Sequence, residues 1–204
     1  MDAAVEVLGV RGRLCLVVIH PRYREVNLHR FFRRELTLVG GPVVRPLRLR
    51  RETAADVVMV AGRYMLLDQS ALDDVLPTAL ALGKSVVAAG VFNSGLLSEG
   101  RLAHGMRYDY RAAPPELVAR ARAIADVCER HGTTLPAAAI AFPFTHPSVI
   151  NVTLGMRTPE QVTRNMGLHR RHVPEDLWHN LRGRGLIRTD VPAGHRIPHL
   201  PATE

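Results

Sequence analysis

Residues 148–165 carry the pattern best suited to chemistry, an apolar run that ends at Gly155 beside the start of a helix. Thr158 can cap that helix, Pro159 suits its first position, and Gln161 completes the spacing of a capping box. A strand that leads through a glycine into a helix N-terminus brings backbone N–H groups and the positive end of the helix dipole together. The pattern predicts an anion site, most usefully for a phosphate. Ordinary helix capping is the alternative explanation.

The composition is that of a globular protein with one substantial core. The chain has 204 residues, of which 47% are hydrophobic and 23% charged, as in ordinary globular domains. The formal net charge of +8 raises the question of a nucleic-acid partner. However, the arginines are scattered, their densest cluster lies at 45–51, and aromatic residues make up only 5%. Nucleic-acid binders gather basic side chains on one face and add aromatics for stacking, so this class is disfavoured.

The positions of the two cysteines indicate a reducing compartment, and hydropathy gives no sign of a membrane segment. Cys15 lies in an apolar run and Cys128 on a helical pattern, so both are expected to be core thiols. The apolar run 14–19 is too short to span a bilayer, and no signal peptide is visible. The expected location is the cytoplasm, with no membrane partner.

The first part of the chain predicts a short strand–helix–strand segment. Residues 14–19 have the pattern of a buried strand, 26–34 that of a short amphipathic helix, and 36–39 that of a second strand. Residues 43–52 are basic and interrupted by Pro46, which is typical of a linker.

From residue 56 onward, buried strands alternate regularly with amphipathic helices. Strands are predicted at 56–61, 85–89 and 149–154. This alternation is typical of an α/β fold in which parallel strands are covered by helices. The proline-rich residues 191–204 are predicted to form a disordered tail. Helices are predicted at 70–82, 114–130, 134–142, 159–168 and 174–184.

Several polar or aromatic residues have plainer explanations than chemistry. His169 and His172 share a helical spacing, but no partner cluster accompanies them, so a solvated basic face is favoured over a metal site. Asp73 and Asp74 are expected to cap a helix rather than to act as an acid–base pair. Trp178 is expected to anchor the core.

Four segments between residues 56 and 187 carry a resemblance to a known family. They read DVVMVAGRYMLLDQSALDDVLP at 56–77, SVVAAGVFNSGLL at 85–97, HPSVINVTLGMRTPEQVTRN at 146–165 and PEDLWHNLRGRGLI at 174–187. In this order they resemble the C-terminal half of the aldo-keto reductases, and most closely the bacterial branch that oxidises aldoses with a nicotinamide cofactor. The resemblance implies strands six to eight of a TIM barrel with their helices. That is a partial barrel, because a complete one needs about 250 residues.

The beginning of the chain resembles a different family. Residues 7–41, with GRLCLVVIHPRYREVNLHRFFRRELTLVGG, are similar to the late part of the nucleotide-binding domain of zinc-type medium-chain alcohol dehydrogenases. The segment includes neither the glycine-rich fingerprint nor the zinc ligands of that family, so no metal site is predicted. The chain is thus expected to be a fusion of two truncated dehydrogenase segments. The predicted divisions are 1–42, a linker at 43–52, a half-barrel at 53–190 and a tail at 191–204.

The resemblance assigns no catalytic residue to this chain. In the aldo-keto reductases an Asp-Tyr-Lys-His tetrad polarises and protonates the substrate carbonyl, while the cofactor carries the hydride. Those four residues belong to the first half of the barrel. Lys84 is the only lysine here and precedes a predicted strand, whereas TIM-barrel chemistry occurs at the carboxyl ends of strands.

The resemblance does imply a surface for NAD or NADP. The loop after strand seven would pass along the pyrophosphate, with Ser94 as a hydrogen-bond donor. The loop after strand eight would hold the adenosine end, and Asn165 matches the family residue that hydrogen-bonds adenine. Many NADP-specific members carry a lysine and an arginine where this chain has Gly155 and Gln161, so the choice between the two cofactors stays open. Asn93 and Ser94 are equally well explained as ordinary turn residues. The expected cofactor-binding residues are Asn93, Ser94, Gly95, Leu96, Gly155, Met156, Arg157, Gln161 and Asn165.

The nicotinamide end departs further from the family pattern. The aromatic residue that stacks on nicotinamide in many members aligns near Ala89, and the glutamine that touches the carboxamide aligns near Ala61. Tyr64 matches the AGRY pattern of the aldose-oxidising branch, without an assigned catalytic role.

Two functions of different classes follow from these observations. The first is an NAD(P)-dependent oxidoreductase segment that is inactive alone and needs another chain to supply the catalytic tetrad. The second is a non-enzymatic fusion remnant or interaction protein that keeps a nucleotide-binding surface. A half-barrel leaves two open parallel edges, and such edges invite pairing, so self-association is expected in either case.

Overall fold

A computed structural model describes residues 13–15, 37–39, 56–100 and 106–193. The chain divides into two compact units, Met1–Leu47 and Arg48–Glu204. In the first unit, strand β1 (Arg13–Cys15) pairs in parallel with strand β2 (Thr37–Val39), with Leu14 opposite Leu38. The predicted helix at 26–34, most of the predicted strand at 14–19 and the linker at 43–52 lie outside the described residues.

The second unit is built on three parallel strands whose bounds follow the apolar runs of the sequence. Strands β3 (Val57–Ala61), β4 (Ser85–Ala89) and β7 (Val149–Thr153) form a sheet in the order β3-β4-β7. Met59 stands opposite Val87, which in turn stands opposite Asn151. The register shifts once, beside Ile150. The predicted α/β fold with parallel strands is therefore confirmed.

Helices cover one face of this sheet. Between β3 and β4 lies α1 (Val75–Ala81), and between β4 and β7 lie α2 (Pro115–Arg130) and α3 (Leu135–Ala141). After β7 come α4 (Pro159–His169) and α5 (Glu175–Gly183). A short antiparallel hairpin precedes α2. It consists of the strands β5 (Arg107–Tyr108) and β6 (Arg111–Ala112).

The first predicted helix of this unit begins differently from the expectation. Ser70 was expected to start a helix through residue 82, but Ser70–Asp73 form a 3-10 turn and α1 begins only at Val75. Asp68 Oδ1 accepts hydrogen bonds from Ser70 N–H at 2.9 Å and from Ser70 Oγ at 2.6 Å. The Asp68 carboxylate therefore holds the first residue of the 3-10 turn. Of the two expected capping residues, Asp74 is the N-cap of α1 but makes no side-chain hydrogen bond there, and the Asp73 carboxylate pairs with Arg188 at 2.5 Å.

The core lies between the sheet and the helices. On the covered face Val60, Val86, Ala88 and Val149 are buried, while on the opposite face Val57 is 42% and Ile150 is 58% exposed. A chain of aromatic contacts crosses the core. The rings of Tyr64 and Phe142 lie 5.1 Å apart, and those of Phe142 and Trp178 lie 5.8 Å apart in an edge-on arrangement, as favoured for buried aromatics. Trp178 is thus the predicted core anchor.

One predicted core thiol is also confirmed. Cys128 is fully buried on α2, and burial raises the pKa of its thiol to about 12. The residue is therefore a small apolar core side chain rather than a nucleophile.

Two arginine side chains hold the end of the described chain against the helices. The Arg120 guanidinium on α2 donates to the Leu186 carbonyl oxygen at 2.6 and 2.8 Å. Arg182 on α5 donates to the carbonyl oxygen of Val191 at 2.8 Å. Because Val191 is buried, packed structure continues past residue 190, where the tail was expected to begin.

Within the described ranges, no helix is long and apolar enough to cross a bilayer.

Candidate functional site

The carboxyl ends of β3 and β4 are each followed by a glycine with positive φ, Gly62 and Gly90. Gly62 N–H donates to the Ala89 carbonyl oxygen at 2.8 Å. At Gly90, where φ is +68°, a Cβ atom would lie 3.2 Å from the Gly62 nitrogen. A side chain at Gly90 would therefore contact the Gly62 backbone, and residue 90 would also be strained at this positive φ. Since parallel strands share one carboxyl edge, this edge gathers the loops that the sequence singled out.

The loop after β4 is anchored in the core at both ends. Val91 and Leu96 are completely buried. Leu96, an expected cofactor residue, is thus a core side chain. Between them the backbone turns through left-handed conformations at Asn93, Ser94 and Gly95, with φ of 37°, 54° and 93°.

The side chains of Asn93 and Ser94 are bound to the turn of the β5–β6 hairpin. Asn93 Nδ2 donates to Asp109 Oδ1 at 2.9 Å, and Asp109 N–H donates back to Asn93 Oδ1 at 2.7 Å. Tyr110 N–H donates to Ser94 Oγ at 2.8 Å. Asn93 therefore supports the loop rather than reaching outward. Ser94 uses its oxygen as an acceptor and keeps its own O–H to donate.

An arginine extends this network to the loop after β3. Arg63 Nη1 lies 2.9 Å from Asp68 Oδ2, and Arg63 Nη2 lies 3.4 Å from Asp109 Oδ2. Hydrogen bonding to Asp68 raises the pKa of the guanidinium. Sequence reasoning missed Arg63, Asp109 and Tyr110. The available signal was Asp109 in a Tyr-Asp-Tyr stretch, because aspartate tolerates the positive φ that a tight hairpin turn requires.

The loop after β7 uses its polar groups largely for helix capping. Gln161 N–H donates to Thr158 Oγ1 over a long 3.4 Å, and Gln161 Oε1 accepts from Arg157 N–H at 2.8 Å. Gln161, expected to hold adenosine, is thus engaged in shaping the loop. Thr158 lowers the pKa of the exposed Glu160 carboxyl, which lies in the first turn of α4. This carboxylate competes with a bound anion for the positive end of the helix dipole.

Glycine and two exposed side chains leave this loop open to a ligand. A Cβ atom at Gly155 would meet nothing within 4 Å. Met156 and Arg157 are exposed, so the surface above α4 can receive a flat group or a charge.

Asn165 is the polar side chain of α4 with an unmet bonding capacity. The residue is only 4% exposed, and its Oδ1 has no hydrogen-bond partner. Buried side-chain polar atoms are nearly always paired, and among the described residues the hydroxyl oxygens of Thr133 and Thr134 are unpaired as well. Of the expected cofactor residues, Asn165 is the one with a buried and unpaired side-chain atom.

The expected nicotinamide end of the site has few polar side chains. Ala61 and Ala89 end their strands. Tyr64 is buried, and its hydroxyl lies 2.8 Å from Thr145 Oγ1. Burial raises the pKa of this phenol well above its ordinary value, so Tyr64 is a neutral core residue.

Lys84 lies at the opposite end of the sheet. It directly precedes β4, and its N–H donates to the Ala79 carbonyl oxygen at 2.8 Å. A strand rises about 3.3 Å per residue, so Lys84 is about 20 Å from the loop that begins at Gly90.

No metal centre is evident in the ranges that the structure describes, where His, Cys, Asp and Glu form no group of three suited to an ion. The His169 ring packs near the Phe144 ring, with centroids 6.1 Å apart.

Curated proteins similar to this chain are dehydrogenases. It is 40% identical over 136 residues to pyridoxal 4-dehydrogenase of Microbacterium luteolum, which is 67% of this chain and 40% of that protein. It is 42% identical over 142 residues to D-threo-aldose 1-dehydrogenase of a Pseudomonas species, which is 70% of this chain and 43% of that protein. The chain thus spans about two fifths of the length of these relatives.

Solved structures share the fold. Glycerol dehydrogenase of Gluconobacter oxydans aligns with a TM-score of 0.52 over 72% of this chain and 46% of its own. The apo form of an aldo-keto reductase from Bacillus halodurans aligns with a TM-score of 0.50 over 72% of this chain and 48% of its own. Both are 20% identical to it, so these likenesses show the α/β architecture of aldo-keto reductases.

A match to a family model covers most of the second unit, including its three parallel strands. Residues 43–182 match the model of the aldo/keto reductase family, whose members generally bind nicotinamide nucleotides. The chain belongs to the aldo/keto reductase family.

Proposed function

We propose that this chain is the nucleotide-binding part of an aldo-keto reductase related to aldose dehydrogenases, and that it binds NAD or NADP without performing the chemistry alone. In this proposal β3, β4 and β7 correspond to strands six, seven and eight of a TIM barrel. The names of the two curated dehydrogenases support the reaction class. The Asp-Tyr-Lys-His tetrad would have to come from additional polypeptide.

The unpaired amide oxygen of Asn165 is the observation that carries this proposal. Adenine carries an exocyclic amine that donates and a ring nitrogen that accepts, and an asparagine amide matches that pair. Oδ1 of Asn165 is a buried acceptor without a donor. Accepting from the adenine amine would satisfy it, and the exposed Met156 and Arg157 would flank the adenosine.

The pyrophosphate would lie along the loop after β4. Ser94 can donate its O–H, and Gly95 takes a positive φ of 93° that suits a residue without a side chain. Gln161 would act indirectly, by holding Arg157 N–H and so the shape of the loop after β7. When bound, the nicotinamide ring supplies the hydride acceptor or donor of the reaction.

Catalysis by the isolated chain is not expected, for a geometric reason. Lys84 lies at the amino end of β4, and reacting groups of TIM-barrel enzymes lie at the carboxyl ends of strands. Tyr64 is buried and bonded to Thr145, which leaves it unsuited to protonate a substrate.

Titration with NAD and NADP, read out by calorimetry and by thermal shift, tests the proposal. Binding of either nucleotide, with a rise in melting temperature that grows with its concentration, is expected. Absence of both signals at millimolar nucleotide would contradict the proposal. ADP-ribose serves as a probe for the adenosine and pyrophosphate contacts alone, and it should bind almost as well as NAD.

One observation favours the second candidate, an interaction protein with a residual nucleotide surface. Across the described residues, the sheet face opposite the helices is uncovered, with Val57 and Ile150 exposed, and β3 and β7 are the sheet edges. Parallel edges of this kind pair readily with further strands. A dimer or larger species in sedimentation velocity, with no nucleotide binding, would favour this candidate.

A further inference from the structure

The loop after β4 and the β5–β6 hairpin meet through two pairs of unusually conformed residues. Among the described non-glycine residues, positive φ occurs at Asn93, Ser94, Asp109 and Tyr110, with φ of 37°, 54°, 46° and 65°. Such conformations are uncommon, and for a bulky residue such as Tyr110 they are outliers. They persist only where surrounding contacts impose them.

The contacts that impose them run between the two pairs. Asn93 is 5% exposed, and its amide forms a closed ring of two hydrogen bonds with Asp109, through Nδ2 to Oδ1 and through Oδ1 to the Asp109 N–H. Ser94 Oγ takes the N–H of Tyr110. Each left-handed pair therefore satisfies the polar groups of the other.

The chemistry of Asp109 goes beyond that of a turn residue. One carboxylate oxygen receives the Asn93 amide, while the other faces Arg63 at 3.4 Å. The Arg63–Asp109 pair is half exposed, so solvent screens it and little binding strength depends on the charge. The hydrogen bond that Asp109 accepts from Asn93 is the shorter of these two contacts, at 2.9 Å against 3.4 Å.

We propose that Asp109 is a positioning residue that holds loop 91–96 in the shape that receives the nucleotide pyrophosphate. The identity of the ligand rests on the proposed function. The positioning role rests on the hydrogen bonds between Asn93 and Asp109. With the Ser94 oxygen occupied by Tyr110 N–H, the Ser94 hydrogen is left to point away from the hairpin. Without the Asp109 carboxylate, Asn93 Nδ2 loses its acceptor and keeps only the bond from the backbone N–H of residue 109, so the loop is freer to leave its left-handed conformation.

Three substitutions at Asp109 separate the acceptor, the charge and the backbone conformation. Asp109→Asn keeps an oxygen acceptor and tolerates positive φ but removes the charge, so it is the matched control. Asp109→Gly keeps the conformation accessible but removes the acceptor. Asp109→Ala removes the acceptor and disfavours positive φ. Each is compared with the wild-type chain by titration with NAD and NADP and by hydrogen exchange on peptides that cover 91–96.

The acceptor hypothesis orders the variants. Asp109→Ala and Asp109→Gly should weaken nucleotide binding about tenfold and speed exchange in loop 91–96, while Asp109→Asn stays within about threefold of wild type. Melting temperatures identify any variant that has simply lost its fold. Unchanged affinity and unchanged exchange in Asp109→Ala would overturn the proposal, as would an Asp109→Asn as weak as Asp109→Ala.

Failure of the two proposals can be told apart. If the wild-type chain binds neither nucleotide, the proposed function is wrong. Faster loop exchange in Asp109→Ala but not in Asp109→Asn would still support the role of Asp109 in holding the loop. If the wild-type chain binds but exchange is unchanged, the positioning role alone is wrong.

Discussion

Replacing Asn165 with leucine should leave the stability of the chain unchanged or higher, while its affinity for the nucleotide falls. Leucine has the same branched shape as asparagine, and Asn165 is 4% exposed with an unpaired Oδ1. An unpaired buried polar group costs about 1–3 kcal/mol. Asn165→Leu removes that cost, so the free energy of unfolding without nucleotide should stay constant or rise by up to about 1 kcal/mol. For a chain of this size the melting temperature should then rise by about 2 °C.

Nucleotide binding should respond in the opposite sense. A hydrogen bond from the adenine amine to a buried acceptor contributes about 1–1.5 kcal/mol, and 1.4 kcal/mol corresponds to about tenfold in affinity. The dissociation constant of NAD or NADP should therefore rise about tenfold in Asn165→Leu, with a smaller thermal shift at the same nucleotide concentration. Calorimetry gives the affinity, and thermal melts with and without nucleotide give both effects.

The neighbouring residue provides the control. Met166 is on the same helix turn and is 44% exposed, so Met166→Leu should change neither stability nor affinity by a measurable amount. Two results would contradict this prediction: an Asn165→Leu chain that binds nucleotide as tightly as wild type, or one destabilised by more than about 2 kcal/mol without nucleotide. The second would show that the Asn165 amide has a structural role.

Three further predictions concern pH, the core and catalysis. Burial lowers the pKa of the His146 imidazole, whose Nδ1 lies 2.7 Å from Ser148 Oγ. The unfolded chain then takes up this proton first, and the free energy of unfolding by urea should fall as pH drops below about 6.5, less so in a His146→Gln chain. Tyr64→Phe removes the hydrogen bond to Thr145 Oγ1 and should cost about 1 kcal/mol in the same assay with nucleotide affinity unchanged; a large affinity loss would assign Tyr64 to the site. The purified chain should not reduce NAD or NADP with aldoses, and turnover abolished by Lys84→Ala would contradict the geometric argument.

The sequence predicts most of the second unit, because its elements are set by local signals. The apolar β-branched run between Gly83 and Gly90 predicts β4 with the bounds that the structure has, Ser85–Ala89. The helical periodicity that places Ile124 and Cys128 on one side of α2 is matched by their burial. Such patterns depend on neighbours three or four residues away, so one sequence suffices to read them.

The site is less readable, because its geometry depends on contacts distant in sequence. Asn93 and Ser94 look like ligand-binding residues by type, yet the structure ties them to residues sixteen positions later. Gln161 is expected to help hold adenosine, and the structure shows in addition that its side-chain oxygen accepts from Arg157 N–H and so shapes the loop. Asn165 as an adenosine-binding residue stays a prediction. Its unmet acceptor is nevertheless visible only once the burial of α4 is known.

The arginine clamps at the end of the described chain have a practical consequence. Arg120 and Arg182 hold Leu186 and Val191 through guanidinium hydrogen bonds, and guanidinium groups do not react with amine-directed reagents at neutral pH. Lys84 is the only lysine in the sequence. Treatment of the chain with an amine-reactive reagent should therefore leave both clamps intact.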